Sequence, residues 1–415
     1  MIRTAAPGAA LLALALLIVR YPGDAFQAAL QGLSIWWNLV FPGLLPFLAL
    51  SELLLALGAV HAAGVLLEPV MRRVFRLPGS AGWAAAVGWS SGFPAGAGAA
   101  ARLHREGALT DRECQRLLAL SHMPNPMLML IVVGAGFFKR PEFGAAIAAS
   151  VWLSALAAGW LLARLDPAAG AAPAFRAPED RRGVLARAAA AMREARRRDG
   201  RGFGQAMGES VAQCVQQLMA VGGLVILGAV LTRLLERVLP GLLRFAAFPG
   251  IYEAHLGAFA AASLIERFGA PAGAALIAAV LSWTGFTGLL ATHGIAASAG
   301  LRFSRLAAAK LLHAALAFVT AALAWKPLVW LAGFGAGDAL HALIRFAAPD
   351  AGNTLDAFRH LAGTGAELPS PGLIPLALRF PPYWPAFAVG SLLLALLLLL
   401  MLAASRLPAA RRPGR

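Results

Sequence analysis

The chain has 415 residues, 59% of them hydrophobic and 13% charged, with a formal net charge of +16. Soluble domains carry about 25% charged residues, so the composition excludes an ordinary soluble protein. It defines an all-α polytopic membrane protein, with its arginines gathered in cytoplasmic loops and no need for nucleic acid as a partner.

The first apolar run, Pro7 to Val19, stops at Arg20-Tyr21-Pro22. It is short for a span, which takes roughly 17–25 residues, and rivals a signal-peptide core in length. No small-x-small cleavage site precedes Tyr21, so it reads as an uncleaved first helix over 1–24. Asp24 to Val40 holds Gln27, Gln31, Trp36, Trp37 and Asn38. Paired tryptophans suit a membrane interface, which predicts an interfacial helix leading into a span from about Phe41 to Val60. Pro42 and Pro46 sit in its first turns, where proline is tolerated. His61 to Leu77 predicts an amphipathic surface helix that buries Val65, Leu66, Leu67, Val70, Val74 and Phe75 and ends in Arg72, Arg73 and Arg76.

Ala81 to Leu103 is apolar but interrupted. Thr110 predicts an N-cap, with Glu113 at the capping-box position. That helix halts at His122-Met123-Pro124-Asn125-Pro126, since two prolines do not fit a regular helix. Met127 to Phe138 resumes the apolar run, and Phe143 to Leu162 reads as a span. Leu165 to Gly202 carries nine arginines between Arg176 and Arg201. It reads as a cytoplasmic topogenic loop, with anionic lipid or a partner as the alternative.

The second half opens near Phe203. A long helix is expected over Met207 to Val238, with Glu209, Gln213, Gln216 and Gln217 at its start. A polar break follows through Pro240-Gly241 and Pro249-Gly250-Ile251-Tyr252-Glu253. Ala254 to Ala262 and Pro271 to Leu290 are apolar. Ala307 to Leu323 reads as a span, and Trp325 to Leu343 as a further short one. Asp350 to Pro382, poor in cations, is expected outside. Pro385 to Leu402 is a span, and the tail with Arg406, Arg411, Arg412 and Arg415 is expected in the cytoplasm. The total is roughly eight to ten membrane-embedded segments. They are arranged as two related repeats, 25–164 and 203–330, divided by the basic loop 165–202. A short segment with an external loop follows over 331–384, then a last span and basic tail over 385–415.

The most informative stretch is Gly88-Trp89-Ser90-Ser91-Gly92-Phe93-Pro94-Ala95-Gly96, with an echo in Ser282-Trp283-Thr284-Gly285-Phe286-Thr287. Broken backbone at membrane depth is tolerated where protein covers it or where it lines a wet cavity. Paired interruptions in two halves point to a transporter-like site. Half-helix N-termini attract anions. Ser90, Ser91, Gly92, Phe93, Ser282, Thr284, Gly285, Phe286 and Thr287 are therefore candidate substrate-binding residues, as is Asn125 in a further break within the first half, at 122–126. The competing reading is a face of small residues that lets helices pack closely. Glu52 and Glu253 are intramembrane carboxylates, candidates for proton or ion coupling, with an inter-helix hydrogen bond as the alternative. Cys114 and Cys214 form no CxxC. His122 and His293 lie near the breaks without metal-ligand spacing, and no phosphate-binding loop occurs. Neither metal, cofactor nor enzymatic activity is expected.

Gly32-Leu33-Ser34-Ile35-Trp36-Trp37-Asn38-Leu39-Val40-Phe41-Pro42, Leu45-Pro46-Phe47 and Ser51-Glu52-Leu53 resemble the YlbJ-type, SpoVV-like sporulation integral membrane proteins. So do Leu67-Glu68-Pro69-Val70-Met71-Arg72, Ser91-Gly92-Phe93-Pro94-Ala95-Gly96 and Ala101-Arg102-Leu103. The resemblance covers about 25–330 and is most specific over 32–130. It implies two gate, or nucleoside-recognition, repeats related to segments of concentrative nucleoside transporters. It also implies movement of dipicolinic acid toward the developing spore. The chain departs from the family at the break over 122–126, where an asparagine-proline element is usual and His122-Met123-Pro124-Asn125-Pro126 stands here. On this resemblance the partner is a small-molecule anion met within a lipid bilayer. The location is a bacterial cytoplasmic-type membrane, with the outer forespore membrane as the specific candidate, and a homo-oligomer stays open. Ser and Thr hydroxyls, Asn125 and half-helix N-termini would hold the carboxylates of dipicolinate, and Phe93 and Phe286 would flank its ring. A non-transporting scaffold for spore envelope assembly and a nucleoside transporter are the alternatives.

Overall fold

A computed structural model describes residues 2–138, 140–166, 183–296 and 302–334, and all the regular structure in them is helical. Five helices among the described residues are long and apolar enough to cross a membrane: Pro22–Ala56, Pro141–Leu165, Phe203–Val238, Ala270–Ile295 and Phe303–Ala332. Shorter apolar helices cover Gly8–Arg20 and Leu128–Phe137.

Helix α1 (Ile2–Arg20) gives way at Tyr21 to α2 (Pro22–Ile35), which runs through a π-helical turn (Trp36–Val40) into α3 (Phe41–Ala56). The expected interfacial helix and the span after it are therefore one continuous rod. The buried residues of α2 are Ala25, Ala28, Gly32 and Ile35, at helical spacing, and α2 lies against α10 (Phe203–Val238). Of the two tryptophans, Trp37 is exposed, but Trp36 is buried and donates its indole N–H to the Leu218 carbonyl at 2.9 Å. Gly222 makes room, since a Cβ there would lie 2.5 Å from the Trp36 ring. Packing against α10 thus turns Trp36 inward.

Helix α4 (Ala59–Arg73) is held between α5 (Ala81–Ser91) and α9 (Val184–Asp199). It buries Val70, with Val74 and Phe75 just beyond its end, whereas Leu66 is exposed. The described part of the basic segment forms helix α9 and not an irregular loop. Glu68 of α4 accepts from Arg187 of α9 at 2.7 Å and from Arg72 at 2.8 Å. Helix α7 (Asp111–Ser121) begins with the capping box read from the sequence, Thr110 with Glu113. A π-helical segment (Leu128–Phe137) leads to α8 (Pro141–Leu165).

The second half continues from α10 through short helices, among them α11 (Pro249–Tyr252), α12 (Ala254–Ser263) and α13 (Ile265–Phe268), to α14 (Ala270–Trp283), α15 (Gly285–Ala296) and α16 (Phe303–Phe334). The expected separate segments at Ala307 and Trp325 are one helix over their described part. Pro327 lies inside α16 without ending it; neighbouring helices and local adjustment let a membrane helix bear such a lost bond. Helices α8, α14 and α16 pack together, with α7 beside α8 and α16. Residues 167–182, the expected external segment 350–382, the span Pro385–Leu402 and the basic tail lie outside the described residues.

The two expected breaks differ in form. Helices α5 and α6 (Ala95–Arg105) fold back on each other, so closely that a Cβ on Gly96 would lie 2.7 Å from the Gly88 Cα. The first break is a hairpin. At the second, α15 turns a corner from α14 and packs against α6 and α11. Thr284 and Gly285, with φ of 70° and 74°, make that corner.

Candidate functional site

The hairpin tip is fixed by glycine geometry and by the proline-rich crossing after α7. Gly92 has φ 78° and ψ −166°, a region open in practice only to glycine. A Cβ there would come within 2.7 Å of the Asn125 backbone nitrogen. Asn125 donates from Nδ2 to the Ser91 carbonyl at 3.2 Å, and its Oδ1 accepts from the Met127 N–H at 2.7 Å. The Phe93 N–H donates to the Met123 carbonyl at 2.8 Å, and the Trp89 indole donates to the Leu120 carbonyl at 2.9 Å. The Phe93-Pro94 peptide is cis. Ser90 donates back to the Val87 carbonyl, while its own carbonyl accepts from Ser51. Ser91 is buried, and among the described residues its hydroxyl has no partner.

The second break is tied in the same manner to the crossing at 249–253. Trp283 donates its indole N–H to the Ile251 carbonyl at 3.0 Å, and Thr287 donates to the Tyr252 carbonyl at 2.9 Å. A Cβ on Gly285 would lie 2.5 Å from that same Tyr252 oxygen. Thr284 is β-branched yet left-handed, an arrangement that costs on the order of 1–3 kcal/mol and persists only where the surroundings enforce it.

His122 joins the two breaks. It is fully buried between two threonines, with Nε2 at 3.0 Å from Thr284 Oγ1 and Nδ1 at 2.9 Å from Thr292 Oγ1. Thr284 already donates to the Trp283 carbonyl. It therefore accepts from Nε2–H, and Thr292 donates to Nδ1. The Phe93 ring lies 5.2 Å from the His122 ring and 6.5 Å from that of His255. Beneath this layer, Lys310 donates to the His122 carbonyl at 2.8 Å and lies 3.1 Å from Nδ1 of His313. The other ring nitrogen of His313 is 3.0 Å from the Val151 carbonyl and 3.3 Å from Ser282. Its Nδ1 accepts from Lys310, so Nε2 carries the proton.

Of the residues singled out from sequence, Ser91, Gly92, Phe93, Asn125, Ser282, Thr284, Gly285 and Thr287 lie in or beside this junction. Phe286 does not share it with Phe93. It is exposed and packs on Trp283 and Tyr252. Glu52 is half-buried on α3, with Cys214 and Arg201 as its electrostatic neighbours. Glu253 is buried as the N-cap of α12, accepting from the Leu256 N–H at 2.7 Å with its other oxygen 2.6 Å from His255. Sequence reasoning misses Lys310, His313, Thr292 and His255. A signal exists for the first two: a lysine and a histidine three apart inside an apolar run merit the same suspicion as Glu52.

These features define a polytopic helical membrane protein whose interrupted helices meet at a buried polar junction. Residues 39–141, which hold the hairpin and Asn125, match the Gate family, described as nucleoside recognition. Over 333 residues the chain is 34% identical to the sporulation integral membrane protein YlbJ of Bacillus subtilis (strain 168), covering 75% of this chain and 80% of that protein. The chain belongs to the YlbJ family of sporulation integral membrane proteins. No solved structure matches it.

Proposed function

We propose that this protein carries a small anionic aromatic metabolite across its membrane, and that dipicolinic acid during endospore formation is the substrate. The supporting observation is the meeting of the two helix breaks through His122 and Thr284, 162 positions apart in the chain. Irregular backbone inside a bilayer is costly, and interrupted helices are the usual place for a carrier's site. The open hydroxyl of Ser91 and the Phe93 ring are then a hydrogen-bonding and a stacking contact for the substrate. A scaffold needs the same small residues but not their hydroxyls.

Uptake of labelled dipicolinate into liposomes bearing site variants tests this reading. Ser91→Ala removes a hydrogen bond to a charged group, worth roughly 1.5–3 kcal/mol, and is expected to weaken half-saturation about ten- to a hundredfold. Asn125→Ala is expected to act in the same direction, with an added loss of stability because it also holds the hairpin. If Ser91→Ala transports like the wild type and only Ser91→Leu fails, Ser91 is a spacer and the site reading loses its support.

A further inference from the structure

We propose that Lys310 is the counter-charge for a carboxylate of the carried anion, in a site against α16 that His122 and His313 border. The inference rests on the carrier reading above and adds the charged group that reading lacks. Lys310 is 0% exposed, and its amine meets two neutral acceptors, the His122 carbonyl and His313 Nδ1. An ammonium offers three donors, so one is left over. Among the described residues no carboxylate pairs with it. Glu253, the buried carboxylate nearest the junction, is already taken up by His255 and the Leu256 N–H. A buried ammonium is costly unless paired, and intramembrane cations commonly mark ion or substrate pathways.

The surroundings indicate what the partner is. The Phe93 ring lies 5.2 Å from the ring of His122, which belongs to the Lys310 cluster, and 6.5 Å from that of His255, which belongs to the Glu253 pair. One pole of the junction is cationic and the other is an occupied acidic pair. A carboxylate attached to a flat ring matches the first pole and the aromatic wall together. A neutral nucleoside would leave Lys310 unpaired. In the state described the amine is sealed, and loading requires His122 to move off it.

The test uses the purified full chain in detergent, with pyridine-2,6-dicarboxylate, benzoate and the neutral pyridine-2,6-dicarboxamide as probes of thermal stabilisation. Both carboxylates are expected to raise the wild-type unfolding midpoint, and the diamide is not. Lys310→Gln keeps a donor for the His122 carbonyl but no charge, and is expected to weaken carboxylate binding about ten- to a hundredfold; Lys310→Arg is expected to retain the preference for carboxylates. Unchanged binding in Lys310→Gln overturns the proposal, as does equal binding of acid and diamide, or no binding of either acid, by the wild type. The last two comparisons need no variant, so a poorly folding Lys310→Gln does not rescue the idea. Wild-type binding that depends on Lys310 without uptake into liposomes would sink the carrier reading and leave the anion site standing. Normal uptake by Lys310→Gln would do the reverse.

Discussion

Thr284 holds a β-branched side chain in a left-handed backbone and has its hydroxyl taken up by His122. Two opposing costs meet there. Thr284→Val keeps the strain and removes the acceptor for His122, so a loss of about 1–3 kcal/mol is expected from the unpaired ring N–H. Thr284→Asn tolerates the left-handed conformation and retains a polar group, so it is expected to melt closer to the wild type. Thermal unfolding in detergent orders the three proteins, and Thr284→Val melting at or above the wild type would contradict the strained contact. At this scale the sequence is legible where a residue has few alternatives. Gly92 and Thr110 announce a break and a cap because their backbone roles are narrow. The His122 junction is not legible, since its partners Thr284, Thr292 and Lys310 lie 162, 170 and 188 positions away. No local pattern records such pairings. Lys310 itself is visible in an apolar run, but its neighbours are not.

The hairpin is the element on which the junction depends. Gly88 and Gly96 both face the Ser121 carbonyl, and a Cβ on Gly88 would meet that oxygen and lie 2.8 Å from the Ser121 Cα. Gly88→Val is therefore expected to prevent α5, α6 and α7 from closing, with loss of folded, monodisperse protein. Gly98 is the control, because a Cβ there would have no neighbour within 4 Å: Gly98→Ala is expected to fold normally. Equal tolerance of both substitutions would contradict the close packing. Helix positions follow from apolar runs and prolines, but their continuity does not. Trp36 turns inward because Gly222 leaves a space for it, and α16 runs through Pro327. Both outcomes depend on neighbours that a window along the chain does not contain. The echo between Ser91-Gly92-Phe93 and Thr284-Gly285-Phe286 marks two breaks correctly, yet one is a hairpin and the other a corner. The reason is that consecutive left-handed residues redirect the chain at 284–285, while a glycine-lined return brings α6 back along α5.

At the scale of the molecule, exposed Leu11, Leu16, Leu227, Leu311, Val319 and Leu323 give the helices an apolar outer surface suited to lipid. The basic helix α9 and the tail 403–415 are expected on one side, the cytoplasm, by their arginine content. Single cysteines at Arg193→Cys and Arg411→Cys, probed in intact cells with a membrane-impermeant thiol reagent, check this. Neither is expected to react until the membrane is opened, and modification of both from outside would contradict the topology. The native thiols will not confuse the result, because both are buried, and burial with Asp111 nearby pushes Cys114 up to about 12.

The proposed carrier site for an aromatic carboxylate lies where the two interrupted helices meet. Uptake of labelled dipicolinate by liposomes containing only the wild-type protein tests it most directly, with labelled nucleoside run in parallel. Saturable dipicolinate uptake above protein-free liposomes, unaffected by excess nucleoside, is the expected result. No uptake by correctly inserted protein, or uptake of nucleoside alone, would contradict it.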